Sequence, residues 1–117
     1  MPTPKLFNYL SSHRRRAGLS QADVAFLLGL ESGARVSRYE HFCQTPSLRT
    51  ALAYEAIFNT NTSELLAGEY QRIEREVLRR AGTLFRRLSK IPSDQATQRK
   101  LTFLRVVAPP PKFAKLP

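Results

Sequence analysis

The sequence contains one cysteine and no long apolar run, and each shortage excludes a class of protein. Cys43 alone cannot form a disulfide within the chain, which agrees with a reducing compartment. No stretch approaches the ~18 consecutive apolar residues of a membrane-spanning helix. Residues 1–5 also lack the apolar core of a secretory signal. We therefore expect a cytoplasmic protein with no membrane partner.

Residues suited to catalysis or metal binding are scarce as well. His13, His41 and Cys43 are the soft metal ligands, and they lack the paired spacing of a zinc site. The chain has no glycine-rich phosphate loop, no nucleophile elbow and no pair of carboxylates in an apolar setting. We expect a protein that is not an enzyme and needs no metal or other cofactor.

Positive charge is what the sequence has in excess. The 19 basic residues outnumber the 9 acidic ones, and the net charge of +10 over 117 residues favours an anionic partner. Residues 1–68 hold 7 basic and 5 acidic side chains (+2), whereas residues 69–117 hold 12 and 4 (+8). The second half either adds sequence-independent affinity for phosphates or meets an acidic partner protein.

Two short helices joined by a turn are predicted between Leu19 and Glu40. Ser20 suits an N-cap, and Asp23 three residues later completes a capping box. Gly29 suits the left-handed end of this first helix. Ser32 can then cap a second helix. The stretch therefore predicts a helix-turn-helix.

The outer face of this pair suits an anion and a base edge. Ser20 and Gln21 lie at a positive helix N-terminus, which favours a phosphate oxygen. Arg35 and Arg38 each carry a planar fork of donors, the group that most often reads guanine in the major groove. Two arginines on a short helix can also form a plain solvated face. The surrounding motif favours the alternative, in which they contact bases.

Further short helices are predicted on both sides of the pair. Apolar spacing predicts a first helix over about residues 5–16, and the positions of Arg14 and Glu40 suggest an ion pair across the domain. Ser47 suits the cap of a fourth helix, and residues 63–68 read as a short fifth.

Residues in a fixed order through this region carry a family resemblance. They are Arg14, Gly18, Leu19, Ser20, Gln21, Asp23, Val24, Ala25, Leu27, Leu28, Gly29 and Leu30, then Val36, Ser37, Arg38, Tyr39 and Glu40, then Pro46, Ser47 and Leu48. Over roughly residues 5–68 the chain closely resembles the Cro and lambda-repressor-like, or Xre-type, helix-turn-helix family.

This resemblance implies an all-α fold whose five-helix domain binds double-stranded DNA, usually as a dimer on a palindromic operator. By position, Gln21 resembles the family's contact at the start of the second helix. The base-reading positions fall on Gly33, Ala34 and Arg38. The positions near backbone contacts fall on Ser37 and on the loop with Thr45 and Ser47.

Two features depart from the family pattern. The turn between Gly29 and Val36 is one residue longer than usual, so the register of Ser32, Gly33 and Ala34 against the bases differs by about one position. Phe42 stands where family members often have glycine, so we expect the loop after Glu40 to take another path.

The second half reads as a helical hairpin. Apolar residues spaced by three and four predict a long helix over residues 69–91, and Ser93 can cap another that ends at about Val107. Residues 69–108 either dimerise, bind a partner or cover the core of the domain 1–68. The tail 109–117, rich in proline and lysine, is predicted to be flexible.

These features together predict a DNA-binding transcriptional regulator, most simply a repressor that acts as a homodimer. The alternative is an antitoxin or adaptor whose C-terminal helices bind a partner protein.

Overall fold

The computed structural model describes residues 7–92 and 94–108, which form seven helices and no strand. This confirms the all-α fold and the helices that follow the helix-turn-helix region. The helices are α1 (Leu10–Arg16), α2 (Gln21–Leu28), α3 (Ala34–Glu40), α4 (Leu48–Phe58), α5 (Thr62–Leu65), α6 (Ala67–Ser89) and α7 (Gln95–Val107).

The chain divides into two compact units. The first runs to Gln71 and contains α1 to α5 together with the first residues of α6. The second starts at Arg72 and contains the rest of α6 and all of α7. The sequence analysis places the boundary between residues 68 and 69, and α6 runs through both positions without a break.

The core of the first unit is built from residues of five helices. Because α2 and α3 are short, each buries only two or three side chains, and the core depends on helices packing together. Its buried members are Leu10, Val24, Ala25, Val36, Tyr39, Tyr54 and Leu65.

Tyr54 is the largest fully buried side chain of this core. Its ring stacks on Phe58 with centroids 6.2 Å apart and meets Tyr39 edge-on at 6.3 Å. Within the described residues its hydroxyl has no hydrogen-bond partner, and burial raises the pKa of that hydroxyl. The ring therefore stabilises the core by packing rather than by hydrogen bonding.

The first helix is shorter than the sequence predicts. Residues 5 and 6 of the predicted helix lie outside the described residues, and α1 begins only at Leu10. The segment before it is held by long-range bonds: the Asn8 amide donates to the Tyr39 carbonyl at 3.0 Å, and the Tyr9 N–H donates to the Leu65 carbonyl at 2.8 Å. These long-range contacts hold residues 7–9 in a non-helical path.

In the second unit α6 and α7 pack against each other, as the predicted hairpin requires. Asp94 caps α7 by accepting a hydrogen bond from the Thr97 N–H at 2.7 Å, which keeps the pKa of that carboxyl low. Ser93, the predicted cap, and the tail 109–117 lie outside the described residues. The buried core of this unit consists of Ala81, Leu88, Leu101, Leu104 and Ala108.

Helix α7 covers only part of the apolar face of α6. Ala81 and Leu88 are buried, whereas Ile73, Val77 and Leu84 are each close to half exposed. The apolar face of α6 is therefore wider than the part that α7 covers. Ile73, Val77 and Leu84 form the exposed apolar strip of α6.

Candidate nucleic-acid interface

Helix α2 has the ends that the sequence predicts. The Ser20 hydroxyl accepts from the Asp23 N–H at 3.0 Å, and the Asp23 carboxylate accepts from the Ser20 N–H at 2.9 Å. This reciprocal capping box lowers the pKa of Asp23. Gly29 ends the helix with φ of 78°, a left-handed conformation that glycine adopts without steric cost. Both predicted ends are confirmed.

The start of α3 differs slightly from the prediction. The helix begins at Ala34, so Gly33 rather than Ser32 is the residue next to it. The Ser32 hydroxyl still accepts a long hydrogen bond of 3.4 Å from the Ala34 N–H. Ser32 therefore assists the helix start from one residue further out than predicted.

Gly33 lies against the start of α2, and its predicted place among the base-reading positions stays a prediction. A Cβ at Gly33 would lie 3.1 Å from the Gln21 Cβ and 3.2 Å from the Ala22 backbone nitrogen. The missing side chain therefore lets the starts of α2 and α3 approach each other. Ala34, at the exposed first turn of α3, keeps a position open to a partner.

A buried ion pair joins α1 to α3 and contains the two residues predicted for it. The Arg14 Nε donates to the Glu40 Oε2 at 2.6 Å, and a second guanidinium nitrogen donates to Oε1 at 3.1 Å. The Arg14 Nη1 also donates to the Leu19 carbonyl at 3.1 Å. The two side chains are 12% and 2% exposed. The bidentate hydrogen bond to Glu40 raises the pKa of Arg14 and fixes α3 against α1.

Gln21 also contacts this ion pair. Its amide nitrogen donates to the Glu40 Oε1 at 3.1 Å. The predicted contact of Gln21 with DNA at the start of α2 stays a prediction. With one amide hydrogen committed, Gln21 retains a second hydrogen and its carbonyl oxygen for a ligand.

Arg35 and Arg38 lie three residues apart on α3, and both are exposed. They line one concavity of about 370 Å³. The Arg38 Nε donates to the Gln44 Oε1 at 3.4 Å, which tethers the guanidinium toward the loop after α3. The remaining lining residues are Gly29, Leu30, Glu31 and Ser32. The structure thus brings three predicted contact residues, Ser32, Arg35 and Arg38, to one polar surface.

Sequence reasoning missed two members of this surface. Gln44 accepts a hydrogen bond from Arg38, and Glu31 lines the same concavity as Arg35 and Arg38. Neither residue carries a periodic or capping signal, so only proximity in the fold identifies them.

Ser37 and Ser47 serve local structure first. The Ser37 carbonyl lies 2.8 Å from the His41 Nδ1, and its hydroxyl lies 3.4 Å from the same nitrogen. Ser47 caps α4 by accepting from the Thr50 N–H at 3.2 Å, as predicted. Because Ser47 is exposed, the first turn of α4 stays open to an anion.

Thr45 lies in the loop between α3 and α4 and is exposed. Its hydroxyl donates to a Glu69 carboxylate oxygen at 3.4 Å. The DNA contact predicted for Thr45 stays a prediction.

Phe42 adopts a backbone conformation that favours glycine. Its φ is 64°, inside the left-handed region, and the expected change of loop path stays a prediction. The ring lies 4.9 Å from that of Phe7, although 53% of Phe42 stays exposed. The loop therefore combines backbone strain with a partial aromatic contact.

This combination predicts an order of stability for two variants. Both Phe42→Gly and Phe42→Ala lose the ring contact, but only alanine retains a Cβ at positive φ. We expect the glycine variant to be more stable than the alanine variant by about 1 kcal/mol, measured by urea unfolding. An alanine variant as stable as the glycine variant would contradict the strained backbone.

Two other kinds of site are absent from residues 7–92 and 94–108. No helix there combines the length and the apolar character that crossing a bilayer needs. The same residues hold no group of three or more His, Cys, Asp or Glu side chains placed to bind a metal ion.

Comparison with known proteins gives one finding. Residues 10–65 match a family model described as helix-turn-helix. No curated protein and no solved structure matches the chain. The match spans α1 to α5, the helices that build the first core.

Proposed function

Residues 10–65 belong to the Xre and lambda-repressor-like helix-turn-helix family, and we propose that the protein is a sequence-specific regulator that binds double-stranded DNA. The observation that carries this proposal is the joint placement of Arg35 and Arg38 on the exposed face of a firmly held α3. The proposed activity is binding without catalysis, and it takes place where the DNA is, in the cytoplasm.

In this mechanism α3 enters the major groove with its exposed side toward the base edges. The forked donors of Arg35 and Arg38 suit the O6 and N7 acceptors of guanine. The first turns of α2 and α4, capped by Ser20 and Ser47, offer backbone N–H groups to phosphates. The ion pair of Arg14 and Glu40 holds α3 in place, so little ordering is left to binding.

The finer part of the proposal is a repressor that occludes a promoter as a homodimer on a palindrome. The exposed apolar residues Ile73, Val77 and Leu84 of α6 support it, because their spacing of four and seven places them in one strip. Two copies that bury this strip together would present two α3 helices to successive half-sites.

Selection of bound sequences from random duplex DNA tests the function. We expect enriched sites that contain guanine and consist of two inverted half-sites about 10 base pairs apart, centre to centre. An unenriched pool would overturn the sequence-specific proposal, and a single unrepeated half-site would overturn the homodimer on a palindrome.

A paired substitution tests where the homodimer forms. Val77→Gln with Leu84→Gln is expected to raise the dimer dissociation constant at least tenfold, because apolar burial is lost in both copies. Sedimentation over a concentration series measures it. Leu48→Gln with Leu52→Gln removes two leucines of α4 that are more exposed than Val77 and Leu84, and it is expected to leave the constant unchanged. The opposite result would move the contact to α4, and a monomeric wild-type protein would overturn the dimer.

A partner-binding antitoxin or adaptor is the second candidate. A groove of about 540 Å³ between α6 and α7 favours it, since the floor is apolar and two cations line it. The lining residues are Leu84, Leu88, Arg99, Lys100, Phe103 and Leu104. A neighbouring gene for a small toxin, whose product elutes together with this protein after co-expression, would favour this candidate. A divergent promoter in that position would favour the simple repressor.

A further inference from the structure

Four arginines form a second charged surface on α6, outside the helix-turn-helix. Their separations of three, four and seven residues place them on one side of the helix, over a length of about 21 Å at 1.5 Å per residue. All four side chains are exposed. We call this surface the arginine stripe, and it consists of Arg72, Arg75, Arg79 and Arg86.

The stripe carries four positive charges, and two acidic residues stand at helical spacing from it. Glu69 and Glu76 are three and four positions from Arg72, and Glu76 is three positions from Arg79. No acidic residue stands three or four positions from Arg75 or from Arg86. The Glu76 carboxylate lies 3.9 Å from the Arg80 guanidinium, outside the stripe. Arg72, Arg75 and Arg79 instead follow one another at the spacings where like charges repel. A polyanion laid along the stripe would relieve this repulsion.

The stripe is separate from the exposed apolar strip of α6. Arg75, Arg79 and Arg86 each lie two residues after an apolar member of that strip, so the two faces are about 160° apart around the helix. A flat anionic membrane that received the apolar side chains would therefore face away from the guanidinium groups. A dimer or partner contact on the strip, by contrast, leaves the stripe open.

We propose that the arginine stripe binds the phosphate backbone of duplex DNA and supplies sequence-independent affinity. This inference rests on the proposed function, because it assigns the stripe to the same ligand as α3. Guanidinium forks match phosphate oxygens in pairs, and a contact to phosphates carries no base preference. It assigns a role to four of the 12 basic side chains in residues 69–117, the part of the sequence that carries +8 of the net charge.

The test compares two double variants of the full chain on a duplex taken from the selection. Arg75→Gln with Arg79→Gln removes two charges from the stripe. Arg80→Gln with Arg87→Gln removes two exposed arginines of the same helix, on another side, and glutamine resembles arginine in helix propensity. Dissociation constants are measured between 50 and 200 mM salt, with circular dichroism to check that helix content is unchanged.

The slope of log affinity against log salt is about 0.9 per phosphate contact, so loss of two contacts lowers it by about 1.8. The ratio of the variant's dissociation constant to that of the wild-type protein should therefore fall about 12-fold between 50 and 200 mM salt. We expect this for the stripe variant, with an unchanged preferred sequence, and less than half of that slope change for the control. Equal changes would overturn the stripe, because net charge would then explain them. An unaltered slope in the stripe variant would also overturn the role of the stripe. The proposed function would still stand in that case, provided that the wild-type protein bound its selected site tightly. A wild-type protein that selects no sequence would instead refute the proposed function.

Discussion

Replacing Arg14 by methionine is expected to lower the free energy of unfolding by about 3–5 kcal/mol, because the Glu40 carboxylate would stay buried without its cation. That carboxylate is 2% exposed and receives two hydrogen bonds from Arg14. In the Arg14→Met variant, the Gln21 amide would still donate one neutral hydrogen bond to this carboxylate. Since domains are commonly stable by only 5–15 kcal/mol, this loss would unfold a large part of the population under mild denaturant.

Urea unfolding followed by circular dichroism measures the effect. Arg15→Met is the matched control, since Arg15 is exposed on the same helix and is expected to change stability by less than about 0.5 kcal/mol. The double variant Arg14→Met with Glu40→Met is expected to be more stable than Arg14→Met alone, because no buried charge remains. If Arg14→Met unfolded like Arg15→Met, the ion pair would contribute nothing to the fold.

The second large effect is expected at Arg38. Arg38→Ala should weaken binding to the selected site by about 1–3 kcal/mol and remove the preference for guanine at one position of the half-site. The physical reason is the loss of the forked donors, which no neighbour on the same concavity except Arg35 can supply. Competition between the selected duplex and single-base variants of it measures both quantities.

Arg38→Lys separates recognition from charge. Lysine retains the positive charge but lacks the planar fork, so this variant is expected to bind unrelated DNA like the wild-type protein and to discriminate poorly at the same base pair. If Arg38→Ala weakened binding to every sequence equally, Arg38 would be a phosphate contact and the reading role would pass to Arg35.

Local signals in the sequence were sufficient for much of the fold. The capping box of Ser20, the left-handed end at Gly29 and the cap at Ser47 each involve residues no more than four positions apart, so the sequence displays them directly. The apolar period gave α4, α6 and α7 for the same reason. The order of motif residues gave the helix-turn-helix, which the family match over residues 10–65 confirms.

Contacts between distant residues decided the rest. Phe7 to Tyr9 are not helical because Tyr9 bonds to Leu65, and Gln21 bonds to Glu40, which is 19 positions away. No local pattern encodes such pairs.

The sequence by itself determined which segments are helical, apart from residues 7–9, and which residues are candidates for contact with DNA. Only the tertiary structure decided the direction of each side chain. It turned Gly33 toward α2, placed Thr45 beside a carboxylate and left one strip of α6 uncovered by α7. The physical reason is that a helical period fixes the angle between side chains on one helix, whereas packing against other helices selects the angle that faces solvent.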